Sequence, residues 1–245
     1  MRLILLYVVI SLPCLAFSQM TFTLESGMVF TQYNDVRAPN GDNDSGSLFS
    51  LKDDFQEVQT PVYFRAEARY LFNEKHTVEV TAAPLAVESN DYIGNTIEFE
   101  NQAFEGNNIS VNYQFNTYRL SYRYRIIDRS RFLMDLGASL LVRDAAITIR
   151  QDDRQASNTD LGYVPLISLN TVYKINEQFH AVLKGDALVG PVGRAEDFFL
   201  GLQYNPSSKL ALKAGYRLIE GGADVDQVYN FAFFHFASFG LAYTL

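Results

Sequence analysis

From about residue 20 onward, large apolar residues recur at every second position, and this alternation more than anything else limits what the chain can fold into. In 62–72 the even positions are Val62, Phe64, Ala66, Ala68, Tyr70 and Phe72, while Arg65, Glu67 and Arg69 stand between them. The same division separates Phe132, Met134, Leu136, Ala138, Leu140 and Val142 from Asp135, Gly137 and Ser139. It separates Leu210, Leu212, Ala214, Tyr216 and Leu218 from Lys213, Gly215 and Arg217. Period two is the signature of a strand with unlike faces, and helical periodicity is unconvincing past the first residues. The closing stretch "FASFGLAYTL" alternates too, with Phe239, Leu241, Tyr243 and Leu245 on one phase.

Ten strands are expected, over about 20–33, 61–72, 76–88, 109–126, 132–149, 161–175, 178–189, 196–204, 209–220 and 228–245. Short turns fall at 73–76, 127–131, 175–178 and 205–209, and longer connections at 34–60, 89–108, 150–160, 190–195 and 221–227. Short turns on one side and long loops on the other fit a transmembrane antiparallel β-barrel, with eight or twelve strands as alternatives. A closed barrel leaves no unpaired edge in lipid. A soluble β-sandwich shares the alternation, but the placing of the rings separates the two. Tyr70, Phe72, Tyr122, Tyr124, Phe132, Tyr173, Phe179, Tyr204 and Tyr243 gather near the short turns in the apolar phase. A sandwich would bury such rings mid-strand, whereas an interfacial girdle puts them at one rim.

Residues 1–18 read as a secretory signal peptide: Arg2, an apolar run, and small residues Ala16 and Ser18 before a cut at Gln19. Residues 19–245 then form one domain. Cys14 is the only cysteine, so a disulfide framework and a thiol nucleophile drop out once the signal is removed. The net charge of −8 removes a basic footprint for nucleic acid. No cofactor is indicated.

The alternating strands and the terminal "FGLAYTL" resemble small bacterial outer-membrane barrels of the OmpA-like type, over the whole of 19–245. The resemblance implies an outer-membrane location in a Gram-negative cell. It implies lipid and lipopolysaccharide as surroundings, and recognition of the last strand by the barrel-assembly machinery. The usual final Phe is Leu245 here. The periplasmic peptidoglycan-binding domain of full-length relatives is missing, so wall anchoring is not implied.

With apolar positions facing lipid, the alternate ones line the lumen: Glu25, Arg65, Glu67, Arg69, Glu79, Arg119, Arg123, Arg125, Asp135, Arg143, Lys184, Asp186, Lys213 and Arg217. Charges of both signs in so narrow a barrel should pair or be hydrated. This reads as a plugging ion network; the alternative is a narrow pore whose basic excess favours anions. In 109–126 the apolar phase shifts from Ile109, Val111, Tyr113 and Phe115 to Tyr118, Leu120, Tyr122 and Tyr124. A bulge near Asn116–Thr117, with both sets outward, would reconcile them.

Catalysis by a lipid-modifying enzyme or a protease of this class needs a histidine near the outer rim. His76 and His180 lie by short turns. His235 stands three residues from Ser238, on opposite strand faces, which separates a base from its nucleophile. His235 therefore reads as interfacial and the chain as a non-enzyme. Asp152 and Asp153 are adjacent acids in a loop without histidine. "NGDNDSGS" (40–47), with Asp42 and Asp44, fails the EF-hand pattern and reads as a hydrophilic loop. The last loops bring Arg194, Glu196, Asp197, Glu220, Asp224 and Asp226 toward one rim above Arg217. That set reads as a salt-bridged hairpin, or as a surface site for a ligand or cation.

Overall fold

The computed structural model describes residues 20–42, 46–191 and 193–245. The signal peptide expected over 1–18, and Asp44 of the acidic loop, lie outside the described residues. In chain order the strands are β1 (Met20–Arg37), β2 (Phe49–Ser50), β3 (Phe55–Val58), β4 (Val62–Phe72), β5 (His76–Ala83), β6 (Ala86–Tyr92), β7 (Thr96–Phe99) and β8 (Gln102–Glu105). They continue as β9 (Ser110–Asp128), β10 (Phe132–Gln151), β11 (Arg154–Lys174), β12 (Phe179–Gly190), β13 (Gly193–Tyr204), β14 (Leu210–Val225) and β15 (Val228–Thr244).

Ten staves close the barrel, all antiparallel: β1, β4, β5 with β6, and then β9 to β15. Pairing of β1 with β15, from Thr21↔Thr244 to Arg37↔Tyr229, joins the ends. The stave expected over 76–88 is interrupted at Pro84 and Leu85, because proline has no N–H for the ladder. Register against β9 runs through the break, from Ala83↔Thr117 to Ala86↔Gln114. The expected short turns are present. At 73–74 both Asn73 and Glu74 have positive φ, the twist that a tight hairpin needs.

The outward face is apolar around the barrel. Phe22, Leu24, Phe64, Val80, Leu120, Leu140, Ile167, Leu200, Leu212, Phe239 and Leu241 are all exposed. Such a surface is stable only against lipid. This barrel is an outer-membrane protein. The aromatic girdle forms at the short-turn end: Tyr70 stacks with Phe72, Phe72 with His76, and Phe179 with Tyr204.

The other end differs from the sequence expectation. The connections expected over 150–160, 190–195 and 221–227 are mostly strand, and their hairpins close at Gln151↔Arg154, Gly190↔Gly193 and Val225↔Val228. Only 38–61 and 93–109 remain long connections, and they carry β2, β3, β7 and β8. β3 pairs with β6, and β7 with β8. The two connections bond to each other through Ser47 N–H to Glu98 C=O at 2.8 Å and Glu100 N–H to Ala38 C=O at 2.9 Å. Together with the strand tops they form a packed head at the end opposite the short turns.

The strand 109–126 shows how head and barrel join. No bulge occurs near Asn116–Thr117: pairing with β10 is continuous from Arg150↔Ser110 to Asp135↔Arg125, and the shift comes only at Met134/Asp135. Ile109, Val111 and Tyr113 are buried inward, not outward. Ser110, Asn112, Gln114 and Asn116 point out in their place. The alternation never slips. The two faces exchange chemistry because the strand rises out of lipid into water, where polar groups belong outside and apolar ones inside.

Candidate functional site

Six of the ten staves make the same exchange on their inner face at the same belt. Going up, Arg65 gives way to Tyr63, Ser139 to Leu141, Ser168 to Leu166, Asp186 to Leu188, Arg217 to Ile219 and Ser238 to Phe236. The lumen therefore has two storeys.

The lower storey is ionic. Arg217 holds Glu25 with two bonds, at 2.8 and 3.0 Å, and reaches Asp197 at 2.6 Å. Asp197 also receives Arg65 at 3.0 Å and Arg119 at 3.1 Å. Arg65 continues to Glu67 at 2.8 Å. Lys184 bridges Glu67 and Glu79 at 2.9 and 2.6 Å, and Arg123 meets Glu79 at 2.8 Å. Arg119 branches to Asp186 at 2.6 Å, and Ser139 donates to the same carboxylate. These cations (Arg65, Arg119, Arg123, Lys184, Arg217) match these anions (Glu25, Glu67, Glu79, Asp186, Asp197) one for one. All are nearly fully buried. Buried charge is tolerable only with this degree of pairing. Arg125 and Asp135 pair separately at 2.8 Å toward the periplasm.

Two lumen residues stand apart. Arg69 reaches the Thr21 hydroxyl at 3.4 Å. Arg69 and Lys213 line a cavity of about 290 Å³ below the network, together with His180 and Gln203. Phe199 sets an apolar ring among these ions. Its ring lies over Gly201 and Gly215, where any Cβ would strike it, and under the Arg217 guanidinium at 5.4 Å.

The sequence reading put Asp197 on the extracellular rim. That is corrected: Asp197 is inward and is the junction of three arginines. Its strand neighbour Glu196 is outward-phase, so adjacency in sequence puts the two on opposite faces of the wall. The remaining rim residues split into two contacts. Arg194 bonds Glu220 through Nε at 2.6 Å, lies over the Phe231 ring at 4.8 Å and meets Tyr33. Asp224 accepts from Asn40 Nδ2 at 2.9 Å, and Asp226 lends its backbone carbonyl to the Asn40 N–H at 2.9 Å. The rim acids thus pin the first long connection to the β14–β15 hairpin. Glu196 lies opposite Glu220 in the ladder.

The upper storey is apolar. Phe49, Leu51, Ile97, Phe99 and Phe104 from the connections pack with Val29, Val111, Tyr113, Ile149, Phe234 and Phe236 from the wall. Phe49 meets Phe99 and Phe55, and Phe55 meets Tyr92, in edge or tilted geometry. Burial, and then the charge of Asp54, push the Tyr92 hydroxyl above its ordinary pKa, so the ring stays neutral. Sequence reasoning missed this core. The signal was present in the apolar residues of both connections, which a solvated loop would not carry.

His76 Nδ1 bonds the Tyr122 hydroxyl at 2.7 Å, and His180 Nδ1 contacts Asn205 at 3.2 Å. His235 contacts the Tyr216 hydroxyl and packs on Phe233 with centroids 4.4 Å apart. Each histidine is held by aromatic or amide groups.

No family model matches the chain, and neither does any curated protein. Solved structures do resemble it. The outer-membrane protease OmpT of Escherichia coli superposes with a TM-score of 0.54 at 10% identity, covering 92% of this chain and 96% of that one. The attachment invasion locus protein Ail of Yersinia pestis, in complex with a heparin analogue, gives 0.38 at 12% identity over 91% and 99%. A FadL homologue of Pseudomonas aeruginosa gives 0.41 at 6% over 94% and 92%. At such identities the likeness to OmpT is one of fold: a closed outer-membrane β-barrel.

Proposed function

We propose that this barrel is a sealed, non-enzymatic outer-membrane protein whose folded extracellular head binds at the cell surface. The observation that carries the reading is the double closure of the lumen. A charge-matched network fills the membrane storey, and an apolar core shared with both long connections packs into the storey above it. A narrow pore would need a continuous wet path, and the periplasmic cavity that contains Arg69 and Lys213 ends at the network. What the head offers to partners is a polar outer ring that includes Ser110, Asn112, Asp144 and Arg150, with the Arg194–Glu220 pair and Glu196 beside it. Lipopolysaccharide and outer-membrane lipid are its immediate surroundings, and the terminal strand is the handle for barrel assembly.

The test is single-channel recording of the refolded protein in a planar bilayer, with folding verified by heat-modifiable gel migration. A folded barrel should stay silent. Steady ion-selective conductance would replace this reading with the pore.

A further inference from the structure

The wall itself is incomplete at one seam. β11 pairs with β10 along its whole length, up to Gln151↔Arg154. Against β12 it pairs only from Lys174↔His180 to Ile167↔Ala187. β12 meanwhile stays paired with β13 up to Gly190↔Gly193. The β11 edge from 154 to 166 therefore has no ladder partner. Pro165 sits just above the last rung, where it cannot donate to a neighbouring strand. The side chains flanking the seam outside are strongly exposed and apolar: Tyr163 at 65%, Ile167 at 61% and Val189 at 69%. At its lower end, beside Tyr163, Ile167 and Val189, the unpaired edge opens toward lipid.

Behind the seam lies a cavity of about 360 Å³. That falls within the range of small-molecule sites. Outward-phase Tyr163 and Pro165 line it together with inward-phase Leu141, Ala145, Leu166 and Phe234, as expected of a space that runs through the wall. The walls are mainly apolar. The floor carries Arg119, and the side carries Arg143. Arg119 makes its contacts through Nη1 and Arg143 through Nη2, which leaves Arg119 Nη2 and Arg143 Nη1 without a hydrogen-bond partner among the described residues. Arg119 is itself 5% exposed. Such donors are costly to leave unmet. Their charges, however, are already met: Arg119 by Asp186 and Asp197, and Arg143 by Asp160. What the site lacks is an acceptor atom, not a counter-ion, and a ligand anion would face those three carboxylates.

We propose that this cavity is a binding site for an uncharged, elongated apolar molecule bearing one hydrogen-bond-accepting oxygen, such as a long-chain ester or ketone. It is admitted sideways from the outer leaflet between β11 and β12. The oxygen accepts from Arg119 or Arg143, and the chain lies along Leu141, Ala145 and Leu166. The site works within a barrel closed to ions, but it does not depend on that closure.

The chain contains no tryptophan, so tyrosine emission can sensitise a bound polyene. The purified protein in phosphatidylcholine vesicles is titrated with methyl parinarate, parinaric acid at pH 9, and diphenylhexatriene. Saturable sensitised emission is expected for the ester, with the anion and the oxygen-free hydrocarbon each roughly tenfold weaker or more. Ala145→Phe should abolish it in a barrel that still shows heat-modifiable migration. Equal response to all three probes, or an unchanged response in Ala145→Phe, would overturn the site. Lateral admission is tested by Leu166→Cys with Leu188→Cys, the next rung of the ladder, where a disulfide would close the seam. The reduced double variant supplies its own reference rate, and relative to it oxidation should slow ester uptake. Equal rates in both states would overturn the doorway while leaving the conductance test untouched.

Discussion

The two storeys of the lumen fill the same kind of space with opposite chemistry. The lower one is packed with arginines and carboxylates, the upper one with phenylalanine, isoleucine and valine. The difference follows from what each must seal against. In the membrane the wall supplies its own backbone hydrogen bonds everywhere but the upper end of the β11–β12 seam, and the lumen needs only matched contents. Above the membrane the outward face turns to water, and stability must come from an interior of the ordinary soluble kind. The network depends on exact pairing, whereas the apolar core depends on volume and shape.

The sharpest way to break that comparison is at the network's junction. Asp197→Asn keeps the shape and removes the one charge shared by Arg65, Arg119 and Arg217. Stranding buried cations should cost about 3–5 kcal/mol. A drop in the urea midpoint of that order, read by heat modifiability, is expected. The head should survive, since none of its residues contact Asp197 through a charge. A midpoint within error of the parent would mean that the network is hydrated filling and not a sealed structure.

The converse cut is Phe99→Ala. Phe99 is fully buried and touches Phe49, so its loss should remove about 3 kcal/mol from the head, near the lower end for buried aromatics. The expected result is rapid proteolysis within 93–109 while the barrel still migrates as folded and stays non-conducting. Loss of heat modifiability would show that head and barrel are one cooperative unit.

How much of this was legible in the sequence depended on which face carried the information. The lipid-facing alternation of 62–72 and 132–142 placed the staves and named the network, because each inward charge had an apolar neighbour to fix its phase. The same logic failed at Ile109, Val111, Tyr113 and Phe115, where apolar was equated with outward. That rule holds only inside lipid, and nothing local marks the height at which a strand leaves it. Asp197 was misplaced for a related reason. It sits beside Glu196 in sequence but across the wall from it, and its belt height is set by partners on three other strands. Phe49, Phe99 and Phe104 carried a usable signal, since aromatic residues in long connections demand burial. The seam beside Pro165 was not legible, because it arises from the unequal lengths of neighbouring hairpins.

The smallest effect is expected at the rim. Arg194 and Glu220 form a bonded pair with Tyr33, but the arginine side chain is 39% exposed, so screening by water leaves little net gain. Glu220→Gln should change the unfolding free energy by less than about 1 kcal/mol, several-fold below the loss expected from the buried network. The substitution also lightens the acidic face formed with Glu196, which lies opposite in the ladder. A surface role for the head then predicts a change in binding to cells or lipopolysaccharide vesicles with stability unmoved. If stability falls instead by several kcal/mol, the rim belongs to the same class as the junction at Asp197. The division between a costly interior and an adjustable surface would then have to be drawn higher up the barrel.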